Sequence, residues 1–252
     1  MTARPAPGPA GAHAVAHVFV DALDDRCEIS GDDGHHLQRV RRITPGEIVT
    51  AADGSGAWRT YAVGEVGVRQ LTLVAQGDRE VEPAPRITVA VAVALTKGGL
   101  DDVVAAVTEL GVVRITPVRT ERVVVRWDET RARKAVARLR FVAREAAMQS
   151  RRARLPVVDE VVDLAALADR PGLIVADPGG AAAFELPAPA SDAADPGWTV
   201  LVGPEGGLSP SELAAFAHVP RLRLGPHVLR ASTAPVAAVA ILGAEAVRVR
   251  PE

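Results

Sequence analysis

The chain of 252 residues contains one cysteine, few aromatic residues and almost no net charge. Because Cys27 stands alone, an internal disulfide and a cysteine-based zinc site are excluded, and we predict no metal and a reducing, cytoplasmic location. An aromatic content of 3% argues against a protein that binds single strands by base stacking. Since the net charge is only −2, any contact with nucleic acid has to come from local clusters of basic residues.

Long apolar runs are missing as well, so the sequence predicts neither a membrane-spanning helix nor a membrane partner. Residues 1–14 consist mostly of Ala, Pro and Gly and lack the apolar core of a signal peptide, so we predict a disordered tail. An apolar content of 48% is nevertheless ample for one large domain or two smaller ones.

Two strand-like runs late in the chain each end in a glycine loop. Residues 198–202 are followed by the loop 203–208, and residues 221–224 are followed by the loop 225–230. In open α/β sheets, ligands bind at the carboxyl ends of strands, where backbone N–H groups and helix N-termini converge. The two loops therefore predict a ligand site, although glycines at such positions can also serve only to make tight turns.

Each loop also opens a predicted helix. Ser209 can cap the first helix, with Pro210 in its first turn and Glu212 completing a capping box, and this helix is predicted to run until Pro220. The second helix is rich in alanine and begins near Ala234. Its small residues permit close packing against another helix, as in a homodimer.

The motifs for common nucleotide ligands are absent from these loops. A phosphate-binding P-loop needs a Lys-Ser or Lys-Thr pair after its last glycine, and a dinucleotide fold needs G-x-G-x-x-G early in the chain. Neither occurs here. What remains is a nearly uncharged pocket with Glu205 and Arg230 at its rim, which suits an adenosine-type cofactor held by backbone atoms.

The first third of the chain has a different pattern. Residues 15–76 alternate short strand-like runs with turns, including a hairpin turn at residues 53–56, and predict a small β-barrel. A helix predicted over residues 33–42 carries two histidines and three arginines, which form either a solvated face or a phosphate-binding surface. Residues 80–86 contain two prolines and are interpreted as a linker.

The order of elements after the linker is typical of a parallel sheet. Residues 87–95 form a continuous apolar strand, and Asp101 or Asp102 can cap the helix that follows it. A strand over residues 112–118 completes a β-α-β unit, which predicts a right-handed crossover. A long helix is predicted over residues 129–150.

Basic residues follow the end of this long helix. Arg151, Arg152 and Arg154 allow two interpretations, a favourable interaction with the helix dipole and a contact with RNA phosphates. Residues 172–176 then supply a further strand of the sheet.

The two glycine loops carry a resemblance to a known family. The sequence Gly-Pro-Glu-Gly-Gly at residues 203–207, followed by Leu-Gly-Pro-His-Val-Leu-Arg at residues 224–230, resembles the paired signature of the RsmE family. These are SPOUT-superfamily methyltransferases of 16S ribosomal RNA, and the resemblance extends to nearly the whole chain. One departure is Ser232, which replaces the Glu of the family pattern Arg-x-Glu-Thr-Ala and so removes a carboxylate from beside the pocket.

The resemblance implies a fold and a reaction. The expected fold class is α/β, with a C-terminal SPOUT trefoil-knot domain built on a parallel sheet and a small PUA-like β-barrel domain before it. The expected reaction is the S-adenosylmethionine-dependent methylation of N3 of a uridine in 16S ribosomal RNA, at position 1498 in the ribosome's numbering. The expected partners are the small ribosomal subunit and a second copy of the chain. The predicted boundaries are residues 1–14 for the tail, 15–79 for the RNA-binding domain, 80–86 for the linker and 87–250 for the SPOUT domain.

The loops and the resemblance together assign the site residues. The predicted cofactor-binding residues are Ala176, Leu201, Val202, Gly203, Pro204, Glu205, Gly206, Leu224, Gly225, Val228, Leu229 and Thr233. The predicted RNA-binding residues are His35, Arg39, Arg41, Arg42, Arg151, Arg152 and Arg154. Arg230 is assigned as the catalytic residue that orients the uracil and stabilises the negative charge on its carbonyl oxygens. Glu205 can act as a base or cap its own loop through backbone N–H groups, and we favour the loop role.

Two other functions are compatible with parts of the sequence. One is a non-catalytic RNA-binding protein whose α/β domain is only a dimerisation scaffold, and the intact glycine loops argue against it. The other is a SPOUT enzyme that acts on another RNA, such as tRNA. The paired motif and the N-terminal barrel argue against this second alternative.

Overall fold

The computed structural model describes residues 8–9, 13–31, 42–68, 70–122, 127–187, 189 and 197–248. The predicted tail over residues 1–14 and the predicted helix over residues 33–42 lie mainly outside these ranges. His35, Arg39 and Arg41 lie outside them, whereas Arg42 lies inside.

The chain divides into two compact units. One unit contains residues 1–84 and 144–155, and the other contains residues 85–143 and 156–252. The boundaries predicted from the sequence follow chain order and therefore leave residues 144–155 with the second domain. A division in chain order cannot represent a late segment that packs on an early one.

The first unit is built on a mixed β-sheet, as the alternating pattern predicts. Its strands pair in the order β1-β3-β4-β5-β2, with β6 on β4, and only the β1–β3 pair is parallel. Alternate residues of β3, β4 and β5 form one buried face, which includes Val49, Tyr61 and Leu73. The strands are β1 (Ala16–Phe19), β2 (Arg26–Ser30), β3 (Ile48–Ala52), β4 (Ala57–Gly67), β5 (Gln70–Ala75) and β6 (Glu80–Val81).

The hairpin turn predicted between β3 and β4 is confirmed. Asp53 Oδ1 accepts hydrogen bonds from the backbone N–H groups of Ser55 at 2.8 Å and Ala57 at 3.1 Å. Gly54 and Gly56 take positive φ values of 80° and 114°, which favour glycine. The aspartate and the two glycines therefore fix the turn locally.

The second unit contains the predicted parallel sheet. Its strands lie in the order β10-β8-β7-β12-β11-β13, with β9 on β8, and every described pair is parallel. Connections of this kind need long crossovers, and the helices supply them. The strands are β7 (Thr88–Ala94), β8 (Arg114–Arg119), β9 (Val157–Val158), β10 (Val162–Asp163), β11 (Leu173–Ala181), β12 (Gly197–Val202) and β13 (Arg221–Leu222).

The described α-helices begin and end close to the predicted positions, with two corrections. Asp101 or Asp102 was expected to cap α1, but Gly99, with a left-handed φ of 80°, occupies the cap position and α1 begins at Leu100. Both aspartates therefore lie in its first turn. The helix expected to reach Pro220 is shorter and ends at Ala215. The helices are α1 (Leu100–Glu109), α2 (Glu129–Gln149), α3 (Pro210–Ala215) and α4 (Ala234–Arg248).

Both faces of the parallel sheet are covered, which explains its nearly continuous apolar strands. Val200 and Val202 of β12 point to the face that packs against Leu242 of α4. The residue between them, Leu201, points to the opposite face and packs in the same cluster as Phe216. Because Leu242 is fully buried, its replacement by alanine is expected to cost about 2–5 kcal/mol of unfolding free energy.

Candidate active site

The site is created by strand register in the parallel sheet. β12 and β13 lie on the two sides of β11, with Val175 opposite Leu201 and Ala176 opposite Leu222. The loops that follow β12 and β13 therefore leave the sheet at the same edge, beside the middle of β11. The structure thus brings the two glycine loops together at one edge of the sheet, as the sequence predicts.

The two loops enclose a cavity of about 290 Å³, here called the first cavity. Its walls are mostly apolar side chains and loop backbone, which is the usual lining of a small-molecule site. The lining residues are Val175, Ala176, Asp177, Pro178, Val202, Gly203, Pro204, Glu205, Gly207, Leu208, Leu213, Leu224, Gly225, His227, Val228, Leu229, Ala231 and Ala234.

Most of the predicted cofactor-binding residues line this cavity, but three do not. Leu201 is fully buried in the core on one face of the sheet, because side chains alternate along β12. Gly206 and Thr233 are exposed outside the lining. The predicted residues that do line the first cavity are Ala176, Val202, Gly203, Pro204, Glu205, Leu224, Gly225, Val228 and Leu229.

Sequence reasoning missed Asp177, which also lines the first cavity. Its Oδ1 accepts a hydrogen bond from the Gly179 N–H at 2.7 Å, and its Oδ2 accepts one from Arg221 Nη1 at 3.0 Å. Gly180 lets β11 approach β13 closely, since a Cβ there would lie 2.6 Å from the Arg221 carbonyl carbon. An aspartate directly after a buried run was the available signal in the sequence.

The first glycine loop is held in place by its own turn and by α3. Gly207 has a φ of 65°, and its N–H donates to the Pro204 carbonyl oxygen at 2.8 Å. The predicted capping box is confirmed, since Ser209 Oγ accepts from the Glu212 N–H at 3.1 Å and Glu212 Oε2 accepts from the Ser209 N–H at 2.7 Å. These contacts fix the geometry of the loop before any ligand binds.

A second support comes from the residues that follow β8. Glu212 is buried, and its Oε1 accepts a hydrogen bond from the Glu121 N–H at 2.8 Å. Hydrogen bonds from Ser209 and Ser211 lower the pKa of the Glu121 carboxyl below its usual value. Arg122 Nη1 donates to the carbonyl oxygen of Gly206 at 2.9 Å.

A second cavity of about 520 Å³ lies beside the first. The predicted catalytic residue Arg230 lines this second cavity and not the first. Arg230 is exposed, and its guanidinium has no hydrogen-bond or ion-pair partner within the described ranges. The residues that line the second cavity are Val93, Thr96, Gly98, Gly99, Leu100, Asp102, Val103, Glu205, Val228, Leu229, Arg230, Ala231 and Ser232.

Glu205 was expected mainly to cap its own loop, and the structure does not support that role. Its carboxylate accepts no hydrogen bond from any described residue, and the Gly207 N–H donates to a backbone oxygen instead. Glu205 is exposed and lines both cavities. It is therefore available to a ligand.

Two of the basic residues after α2 contact backbone carbonyl oxygens of their own unit that lie just outside its strands. Arg151 Nη2 donates to the Ala14 carbonyl oxygen, and Arg154 donates to the carbonyl oxygens of Ser55 and Glu82. These contacts give both arginines a structural role within their unit, and the helix-dipole interpretation stays a prediction.

Two other predicted RNA-binding residues have contrasting surroundings. Burial lowers the pKa of the Arg152 guanidinium below its usual value. Arg42 is exposed with a positive φ of 50°. The assignment of these arginines to RNA binding stays a prediction.

The part of the chain that the structure describes contains neither a metal site nor a membrane-spanning helix. No three His, Cys, Asp or Glu side chains there are grouped so that they can hold a metal ion. No helix in the same ranges has the length and apolar character needed to cross a membrane.

The chain is similar to known RNA-modifying proteins. Residues 82–243 match a family described as the RNA methyltransferase domain, and residues 29–76 match the RNA methyltransferase PUA domain. Ribosomal RNA small subunit methyltransferase E of Mycobacterium bovis is 39% identical over 241 residues, which cover 89% of this chain and 90% of that protein. The protein of the same name from Bacillus subtilis is 29% identical over 226 residues, which cover 85% and 88%.

A solved structure gives the same picture. Ribosomal RNA small subunit methyltransferase E from Neisseria gonorrhoeae, bound to S-adenosyl methionine, matches with a TM-score of 0.79 and 25% sequence identity. The match covers 90% of this chain and 96% of that one. The α/β fold class, with a PUA-type first domain, is confirmed.

Proposed function

Because the chain belongs to the ribosomal RNA small subunit methyltransferase E family, we propose that it uses S-adenosylmethionine to methylate N3 of a uridine in 16S ribosomal RNA. The observation that carries this proposal is a cavity formed by two glycine loops, directly beside a second cavity that contains Arg230. The names of the relatives supply the reaction class and the ribosomal RNA, and the Neisseria gonorrhoeae structure supplies the cofactor.

The charged side chains that line the first cavity match the positive charge of S-adenosylmethionine. Its carboxylates are Asp177 and Glu205, and no Lys or Arg side chain is among the described residues that line it. S-adenosylmethionine carries positive charge on its sulfonium sulfur and amino group, so these carboxylates attract it. Arg221 neutralises part of the charge on Asp177, which leaves Glu205 as the carboxylate with no described partner. When bound, the cofactor supplies an electrophilic methyl group.

The second cavity fits a flipped uracil. Methylation at N3 requires loss of the N3 proton and an in-line approach to the methyl group, so positioning and electrostatics dominate. Arg230 has free N–H donors at this cavity, and these can donate to the uracil carbonyl oxygens. Its positive charge stabilises the anion that forms when N3 loses its proton.

The test is a methylation assay with ribosomal RNA as substrate. Small ribosomal subunits from cells that lack this protein would be incubated with the purified protein and S-adenosylmethionine. Mass-spectrometric mapping is expected to find one new methyl group, on N3 of a single 16S uridine. Binding of the subunits without methyl transfer would favour a non-catalytic RNA-binding protein. Methylation of tRNA but not of the subunits would favour a SPOUT enzyme that acts on another RNA.

We also propose that the protein acts in the cytoplasm as a homodimer. The support is the alanine-rich helix α4, whose small side chains permit close helix packing. Sedimentation equilibrium of an active preparation is expected to give twice the mass of one chain. A monomer at micromolar concentration would contradict the dimer without affecting the proposed reaction.

A further inference from the structure

The wall between the two cavities contains one ionisable side chain. Glu205, Val228, Leu229 and Ala231 line both cavities, and only Glu205 among them can accept a proton. A group that passes between the cavities has to pass this wall. In the proposed reaction, that group is the methyl group.

The other ionisable side chains of the first cavity do not border the second cavity. Asp177 and His227 line the first cavity alone. Both carboxylate oxygens of Asp177 already accept hydrogen bonds, one from the Gly179 N–H and one from Arg221. Asp177 is therefore committed to holding its own strand and lies away from the second cavity.

The second cavity contains few other ionisable side chains that can accept a proton. Asp102 lines it without lining the first cavity, and Arg230 can only donate hydrogen bonds. Glu205 is thus the one proton-accepting side chain, among the described residues, that borders both cavities. Its carboxylate has no described hydrogen-bond partner that would have to be displaced.

We propose that Glu205 is the catalytic base that removes the N3 proton of the uracil, an assignment that rests on the methyl transfer proposed above. The N3–H bond breaks, and its proton goes to a carboxylate oxygen of Glu205. The electron pair left on N3 forms a bond to the methyl carbon of the cofactor. The methyl–sulfur bond breaks, its electron pair stays on sulfur, and S-adenosylhomocysteine is formed.

The neighbouring charges make this proton transfer favourable. Arg230 faces the same cavity, and its positive charge stabilises the uracil anion more than the neutral base. Asp102 also faces the second cavity, and Asp177 and His227 face the first, so they contribute to the field at Glu205. A positioned general base contributes about 10²- to 10⁴-fold to a rate.

The test compares Glu205→Gln with the wild type on small ribosomal subunits over a range of pH. Glutamine keeps the shape of the side chain but cannot accept the proton, so kcat is expected to fall by about 10²- to 10³-fold. The rate of the variant is expected to rise with pH more steeply than that of the wild type, because solvent must then remove the proton. The affinity for S-adenosylmethionine is expected to fall as well, because the Glu205 carboxylate also attracts the positive charge of the cofactor, but by less than kcat falls.

Two further variants make the result specific. Glu205→Asp keeps a carboxylate and is expected to recover at least about tenfold of the lost kcat. Glu109→Gln is the matched control, since Glu109 is exposed at the end of α1 and lines neither cavity, and its kcat is expected to be unchanged.

Several outcomes would overturn the assignment. An unchanged kcat in Glu205→Gln, or a pH profile parallel to that of the wild type, would exclude Glu205 as the base. A loss confined to cofactor affinity would place Glu205 in cofactor binding alone. Failure of the proposed function would be different, because the wild-type protein itself would then transfer no methyl group.

Discussion

Arg122 donates a hydrogen bond from Nη1 to the carbonyl oxygen of Gly206, at 2.9 Å, and thereby connects the residues after β8 with the loop after β12. Gly206 does not line the first cavity, but its neighbours in the loop do. The loop backbone thus has an anchor at a residue outside the cavity lining. We therefore expect Arg122 to position the first glycine loop.

Arg122→Ala is expected to weaken the binding of S-adenosylmethionine about fivefold, because one exposed hydrogen bond is worth about 1 kcal/mol. Titration calorimetry would measure this. Arg119→Ala is the matched control, since Arg119 pairs with Asp163 and does not contact the loop. Equal affinities in the two variants would mean that the anchor has no effect on the cofactor site.

Gly225→Val is expected to lower cofactor affinity by at least about tenfold. Gly225 lines the first cavity, and a Cβ at this position would meet no atom within 4 Å, so the fold accommodates a side chain that takes space from the ligand. Circular dichroism is expected to stay unchanged. Gly206→Val serves as the comparison, because Gly206 lies outside the lining, and its effect on affinity is expected to be smaller.

Arg230→Ala is expected to lower kcat and kcat/KM together, by about 10²- to 10³-fold, because the guanidinium acts mainly in the transition state. Cofactor affinity is expected to change little, since Arg230 lines the second cavity only. Steady-state kinetics with small ribosomal subunits would measure both constants. Arg223→Ala removes an exposed arginine that lines neither cavity, and an equal loss in that variant would contradict the special role of Arg230.

The first unit contains a buried histidine at the junction with its late segment. His17 Nδ1 lies 2.8 Å from Thr50 Oγ1, and His17 Nε2 lies 2.9 Å from the carbonyl oxygen of Arg152. Burial, with a smaller contribution from the nearby charge of Arg151, lowers the pKa of His17 from 6.5 to about 4, although the hydrogen bond with the Arg152 carbonyl oxygen opposes this shift. The folded protein therefore favours the neutral ring.

This histidine predicts a loss of stability in mild acid. The unfolded chain binds a proton near pH 6.5, whereas the folded chain binds it only near pH 4, so His17 contributes fully above pH 6.5. The contribution, about 3 kcal/mol at most, is lost as the pH falls from 6.5 to 4. Urea unfolding at several pH values would measure it. His17→Gln is expected to reduce this pH dependence, and His13→Gln, at an exposed position, is expected to retain it.

The cluster of Arg39, Arg41 and Arg42 is expected to contact RNA phosphates. Each phosphate contact contributes about 0.7 to 0.9 to the slope of log affinity against log salt concentration. Replacing all three by alanine is thus expected to flatten the slope by about two to three units, while cofactor affinity stays the same. Salt titrations of binding to small ribosomal subunits would test this. Equal slopes for the wild type and the triple variant would mean that the three arginines only form a solvated face.

Arg154 provides a contrast within the same set of basic residues. Its guanidinium donates to the carbonyl oxygens of Ser55 and Glu82, so Arg154→Ala is expected to lower the free energy of unfolding by about 1–3 kcal/mol. The salt slope is expected to change little. Urea unfolding together with the same salt titration would separate the two roles, and a flatter slope at unchanged stability would assign Arg154 to RNA.

The sequence by itself determined the features that depend on neighbouring residues. The capping box of Ser209 and Glu212, the turn held by Asp53 and the β-α-β order of residues 87–118 were all predictable. Their hydrogen bonds join residues a few positions apart, so the spacing of residue types is enough to specify them. The two loops at the carboxyl ends of strands followed from the same local patterns.

Tertiary structure decided which residues of those loops face a ligand. Leu201 and Val202 are adjacent in sequence, yet only Val202 lines the first cavity, and Asp177 joins the lining from a strand more than twenty residues away. The sequence also did not show that the Glu205 carboxylate accepts no hydrogen bond from the described residues of its own loop. The reason is physical, because the lining depends on the register of β12 and β13 against β11, and that register is set by contacts between distant parts of the chain.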